Sequence, residues 1–284
     1  MDFYRLQTEK EKHKKELFSK IIFFGAVILA VIAIFGAVYT VCYSGVFKIK
    51  KINISGLQGI SPDELTANLE NFFTKNSAVA SFLGANNILV WQTEPDGFLK
   101  QYPQLESLDI EKDYFGREVT VSAKEREKFG IWCIQTRKNA EPSTDTTQNN
   151  AENDVEQCYW FDKTGIIFGE APTIETEILN RVNDSSGKNI NIGDTVLPQE
   201  FMPNLTSIFD ILDKENLNTK TVYLDDLALQ EVYTKAVSGD PKIYFSLNFD
   251  PRFSLAAINS LKDSGEWGKI GYVDFRVQNR AYYK

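Results

Sequence analysis

The chain has 284 residues, enough for one or two domains with real cores, and carries 31 Lys and Arg against 39 Asp and Glu, a formal net charge of -8. That balance excludes a nucleic-acid surface as the default reading, because phosphate binding needs clustered cations. The one histidine, His13, precedes a long apolar run, so the rest of the chain lacks the residue most used as general base and metal ligand; Ser-His-Asp, Cys-His and His-metal chemistry are excluded there.

Residues 21–43, IIFFGAVILAVIAIFGAVYTVCY, carry no charge. At about 1.5 Å of rise per residue a helix of this length reaches about 30–35 Å, enough to cross the hydrocarbon of a bilayer. The residues that follow, Ser44, Gly45, Val46 and Phe47, offer little to a signal peptidase, so the run reads as a retained single-pass anchor. The tail, residues 1–20, holds Arg5, Lys10, Lys12, Lys14, Lys15 and Lys20, against only Lys48, Lys50 and Lys51 just after the span. This asymmetry places the N-terminus in the cytoplasm and everything from Ser44 onward outside it.

The next block, residues 44–126, opens with FKIKKINISG, whose Phe47, Ile49, Ile52 and Ile54 approximate a half-buried strand ended by Gly56. Ser61, Pro62, Asp63 and Glu64 form a capping box with Pro at the first helical position, and Leu65, Leu69, Phe72 and Phe73 give the helix one apolar stripe. ILVWQTEPDGFLKQYP predicts a short strand and a second helix stopped before Pro103. Two strands follow, one with Leu108 and Ile110 and one with Val119, Val121 and Ala123, joined by the turn YFGR.

Residues 127–284 are richer in strands. GIWCIQ and QCYWFDKTGIIFG are apolar runs separated by a polar stretch, and residues 136–157 are expected to be a disordered hairpin tip. Cys133 and Cys158 lie at mirrored places in the two runs. Hairpin pairing outside the reducing cytoplasm would allow a disulfide between them, the alternative being two buried free thiols. Cys42, inside the anchor, is an apolar filler. Leu205, Ile208, Phe209 and Leu212 mark a helix with Pro203 in its first turn, followed by strands TVYLDD and LQEVYTKA. KIYFSLNF alternates Ile243, Phe245, Leu247 and Phe249 with Tyr244, Ser246 and Asn248. Asp250 and Pro251 then start another helix, and GYVDFRVQNRAYYK follows as strand. Ser185 to Lys188 match S-x-x-K without its partner motifs, and the adjacent Asp225 and Asp226 read as a solvated strand end; neither makes a catalytic site. No cofactor or metal site is expected.

The order strand, helix, helix, strand, strand in residues 44–126 resembles the polypeptide-transport-associated (POTRA) module, carried by FKIKKINISG, ISPDELTANL and LDIEKDYFGREVTVSAKERE. IYFSLNFDPRFSLAAINSLKDS followed by YVDFRVQNRAYYK is similar to the ending of the β-domain of FtsQ/DivIB-type bacterial division proteins. The resemblance implies an α+β chain: a single transmembrane helix, a POTRA-like α/β domain, and a C-terminal mixed β-domain with helices. It implies a non-enzymatic scaffold in the cell membrane at the division septum, binding FtsB/DivIC-type and FtsL-type partners outside the cytoplasm. Residues 272–277 (Tyr272, Val273, Asp274, Phe275, Arg276 and Val277), with Tyr282 and Tyr283, would form the partner-binding strands. An ordinary strand with Val273, Phe275 and Val277 buried explains the same alternation; an edge strand would add free backbone groups for a partner strand. The other readings are a membrane-tethered cell-wall enzyme and a POTRA-containing transport component.

Overall fold

An apolar run with nothing to pack against must find lipid or a partner. The computed structural model, which describes residues 2–75, 77–95, 97–136, 155–173 and 178–284, carries α1 (Asp2–Tyr43) as one continuous helix. Its segment Phe18–Tyr43 is long and apolar enough to cross a membrane, and none of it is buried in the fold. This agrees with a single-pass anchor. The contacts divide the chain into two units, residues 1–95 with 108–123 and residues 96–107 with 124–284.

In the first unit β1 (Lys51–Ser55) runs parallel to β3 (Glu118–Glu125), placing Ile52 beside Val119 and Ile54 beside Val121. β2 (Leu105–Asp113) flanks β3 on its other side, giving the order β1-β3-β2. Gly56 stops β1 with a φ of +86°, where a Cβ would lie 2.0 Å from the carbonyl oxygen of Ala123; no other residue fits. α2 (Pro62–Lys75) buries Leu65, Leu69, Phe72 and Phe73, the expected stripe. Phe73 meets the fully buried Trp91 at 5.4 Å between ring centres.

Two expectations for this stretch are corrected. The residues around Ile88 form turns rather than a strand, although Ile88, Val90 and Trp91 are buried as a strand's would be. Asn87 Oδ1 accepts the Leu89 N–H at 3.0 Å, and Trp91 Nε1 donates to the Ala85 carbonyl at 2.8 Å, local bonds that compete with an extended chain. The helix before Pro103 is only α4 (Phe98–Gln101), whereas a further short helix, α3 (Ala78–Leu83), is capped by Ser77 and stopped by Gly84. With only Ala80 buried, α3 leaves no periodic stripe to read.

The second unit is built on a mixed nine-stranded sheet in the order β12-β11-β10-β9-β8-β7-β4-β5-β6. β4 (Gly130–Thr136), β5 (Val155–Phe161) and β6 (Ile167–Glu170) are joined antiparallel. Of the expected tip, residues 136–157, Thr136 and residues 155–157 are instead paired strand, and residues 137–154 lie outside the described residues. β7 (Asn180–Asp184), which the polar sequence NRVND concealed, runs parallel to β4 and to β8 (Thr221–Leu224). Trp132 donates to the buried Asp184 at 3.0 Å, which satisfies both polar groups inside the core.

β9 (Glu231–Thr234) and β10 (Lys242–Ser246) extend the sheet antiparallel; β10 ends at Ser246, short of the KIYFSLNF run. α5 (Met202–Lys214) and α6 (Ser254–Asp263), the latter preceded by a 3-10 turn at Pro251–Phe253, contribute Leu205, Ile208, Phe209, Leu212 and Ile258 to one core. That core takes Val222, Val232, Ile243 and Phe245 from the sheet. β11 (Tyr272–Phe275) and β12 (Tyr282–Tyr283) complete it.

Candidate protein-binding edge

The alternation in Tyr272–Phe275 buries Val273 and Phe275, and β11 docks parallel to β10 with Ile243 beside Val273 and Phe245 beside Phe275. Phe275 stacks on Phe245 at 5.7 Å and meets Phe253 edge-on at 5.9 Å. Two sequence expectations end here. The strand stops at Phe275, so Val277 does not continue the buried face and is exposed. Nor is β11 the edge: β12 pairs antiparallel with it, Tyr283 opposite Val273 and Tyr282 opposite Asp274. The chain turns back at residues 277–280, where Arg280 N–H donates to the Val277 carbonyl at 3.1 Å and Asn279 takes a φ of 58°. Sequence alternation cannot reveal such a two-residue return strand, because two residues have no period.

The outer strand of the sheet on this side is thus β12. Tyr272 and Lys284 exchange hydrogen bonds at 3.3 Å in each direction, and Gly271 N–H donates to the Lys284 carbonyl at 2.6 Å. In an antiparallel ladder the next residue alternates, so the N–H and C=O of Tyr283 point away from β11, toward the open side. Both Tyr282 and Tyr283 are about half exposed.

One face of this end carries a row that crosses five strands. Tyr223 pairs with Tyr233, Tyr233 with Tyr244, Tyr244 with Asp274, and Asp274 with Tyr282. The Tyr223 and Tyr233 rings stack at 5.4 Å, and Tyr233 and Tyr244 lie 5.8 Å apart. Cations cover them: Lys235 sits 4.2 Å from the Tyr223 ring centre, Lys242 3.9 Å from that of Tyr233, and Arg276 4.6 Å from that of Tyr244. Burial, followed by the Asp225 carboxylate that accepts its hydroxyl, pushes the Tyr233 phenol up to about 12.

Arg276 locks the end of the row. Its Nη2 donates to Asp274 at 2.7 Å and its Nη1 to both oxygens of Glu231 at 3.0 and 3.1 Å. These bonds hold the Asp274 carboxyl below its ordinary range, the hydrogen bond from Arg276 being the largest cause, and raise the guanidinium in turn. The Arg276 N–H is also spent, on Asp274 Oδ1 at 2.9 Å. Asp274 and Arg276 are therefore bonded inside the fold, and the free backbone lies at Tyr283.

No family model and no curated protein matches this chain. Its other anticipated features stand apart from the edge. Cys133 and Cys158 face each other across β4 and β5 and are joined by a disulfide, buried beside Ile131. Lys188 Nζ donates to the Thr195 and Val196 carbonyls and Ser185 Oγ to Gln135 Oε1, so the S-x-x-K residues turn to different partners. Asp226 caps the 3-10 turn Leu227–Leu229. Among the described residues no group of three or more His, Cys, Asp or Glu is placed to hold a metal ion.

The row of tyrosines was half legible. Each of TVYLDD, EVYT and KIYF puts Tyr opposite buried residues, but only register puts the three in one line.

Proposed function

We propose that this chain is a non-enzymatic, single-pass membrane scaffold of the FtsQ/DivIB type, and that it works by strand addition. A strand of a partner protein pairs with β12, and its side chains meet the tyrosine row. The observation that carries the reading is the outward-facing N–H and C=O of Tyr283 on a short outer strand. Main-chain bonds there supply affinity, and Tyr282, Tyr283 and the neighbouring row supply amphipathic contact area. The apolar helix Phe18–Tyr43 holds the scaffold in the membrane. The excess of Lys and Arg before the span puts the globular part outside the cytoplasm, and the resemblance to the FtsQ/DivIB type puts it at the septum with partners of the FtsB/DivIC and FtsL types.

The experiment is a binding titration of the full chain in detergent against the FtsB/DivIC-type protein of the same cell. Tyr283→Pro removes the outward N–H while leaving the Tyr272 and Lys284 bonds in place, and it should abolish binding with the circular dichroism unchanged. Tyr283→Phe should bind as wild type. Wild-type affinity in a folded Tyr283→Pro variant would refute strand addition at this edge.

A further inference from the structure

The first unit leaves an aromatic tip bare. Residues 114–117 join β2 to β3, and in this turn Phe115 is 102% exposed and Tyr114 48%. Turn geometry does not call for them. The Asp113 carboxylate accepts the N–H of Phe115 at 3.0 Å and of Gly116 at 2.9 Å, Arg117 takes a φ of 59°, and polar residues are the usual occupants of such a turn.

Arg117 fixes where this tip lies. Its Nη1 donates to the carbonyl of Gly45, two residues beyond Tyr43, where the apolar helix ends. Its own carbonyl accepts the Lys50 N–H at 2.8 Å. Two residues from Tyr43 to Gly45 span about 7 Å, the hydrogen bond about 3 Å, the arginine side chain about 7 Å and the two residues from Arg117 to Phe115 about 7 Å more, so the Phe115 backbone lies within roughly 24 Å of the end of the span. The headgroup layer itself is about 5–8 Å deep on each side, so at most roughly 16–19 Å is left for the turn and its aromatic rings to bridge.

The same mouth of the helix has the composition of a membrane interface. Tyr39 and Tyr43 are exposed and stack at 5.6 Å, Val46 is exposed, and Lys48, Lys50 and Lys51 are exposed immediately after it. Aromatic rings favour the headgroup depth, and lysines beside them favour anionic lipid.

We propose that the turn at residues 114–117 is a second membrane contact, in which Phe115 and Tyr114 enter the headgroup layer beside the span while Lys48, Lys50 and Lys51 face anionic lipid. It rests on the reading of Phe18–Tyr43 as a membrane anchor. The tip ties the first unit down, so that the unit keeps one face to the bilayer.

The test uses the full chain in nanodiscs of phosphatidylcholine and phosphatidylglycerol, with an environment-sensitive fluorophore on a single cysteine. One sample is labelled at Cys42, whose two fellow cysteines are disulfide-bonded; the other is Cys42→Ser with Phe115→Cys. Brominated lipid should quench both labels, and the label at residue 115 should shift to the blue and resist iodide in the buffer. If the label at 42 is quenched while that at 115 emits as in water and is open to iodide, the anchor stands and the second contact is overturned. A label at 42 untouched by brominated lipid overturns both. A blue-shifted label at 115 that brominated lipid leaves bright overturns the proposal in favour of a protein contact at the tip.

Discussion

Asp162 offers the sharpest test of how the second unit is held together. It is 6% exposed and accepts four hydrogen bonds: Thr164 N–H at 2.9 Å, Thr164 Oγ1 at 2.7 Å, Ile166 N–H at 3.0 Å and Arg126 Nη1 at 2.6 Å. Arg126 is itself nearly buried, donating through Nε to the Pro103 carbonyl at 2.8 Å. Replacing Asp162 by Ala leaves a guanidinium without its counter-charge, and such losses cost about 3–5 kcal/mol. A cavity of about 440 Å³, lined by Asp162, Lys163, Thr164 and Lys124 among others, lets water reach the site. The low end, about 3 kcal/mol, is therefore expected, a fall of roughly 6–12 °C in Tm for a unit of this size. Asp162→Asn keeps the shape and an acceptor for Thr164 and removes the charge, and should lose about 1.5 kcal/mol. The pH profile carries the same information. Burial opposes the charge, but the hydrogen bonds from Thr164, Ile166 and Arg126 outweigh it and lower the Asp162 carboxyl. A lowered carboxyl contributes stability that is present above the unfolded value of about 4 and lost as pH falls through the folded one, so the Asn variant should show less acid-induced loss. The assay is denaturant unfolding in detergent micelles, read by tryptophan fluorescence from pH 7 downward. A loss below about 1 kcal/mol for Asp162→Ala, the worth of an exposed pair, would refute the argument that this pair is buried and structural.

Mass spectrometry of a non-reduced digest should find the Cys133 and Cys158 peptides linked, and the double Ala variant should lose about 3 kcal/mol, the chain-entropy value for a loop closed over 25 residues of separation. Two freely alkylated thiols would overturn it. Phe275→Asp buries a charge between Phe245 and Phe253 and should cost more than about 4 kcal/mol, so near-ultraviolet circular dichroism of the second unit should collapse; a wild-type melt would show that β11 is not part of the core. Absorbance titration should find the Tyr233 phenol ionising near pH 12, brought down by Asp225→Asn. Because its folded value is raised, its contribution to stability is complete below the unfolded value near 10 and lost as pH rises through about 12; no phenol ionising above the ordinary range would contradict the burial of Tyr233 beside Asp225.

What the sequence determined by itself was whatever rests on local period or on an uninterrupted run. The span at residues 21–43, within the structure's Phe18–Tyr43, the stripes of α2 and α5, the turn at residues 114–117 and the buried alternation of β3, β10 and β11 were all legible, because each is a pattern written along one segment. The mirrored cysteines were legible as a pair for the same reason, since a hairpin carries its register in its own spacing. Tertiary structure alone decided what lies between segments. β7 reads as polar, yet Arg181 and Asn183 are bonded to each other at 2.7 Å and Asp184 to Trp132, so its polarity is satisfied inside the sheet. The place of the edge followed from Tyr282 and Tyr283 returning on β11, and the tyrosine row from the register of β8, β9 and β10. Pairing between distant strands is fixed by their shared core and not by any one strand's composition, and so the free backbone at Tyr283 could be found only once the strands were in place.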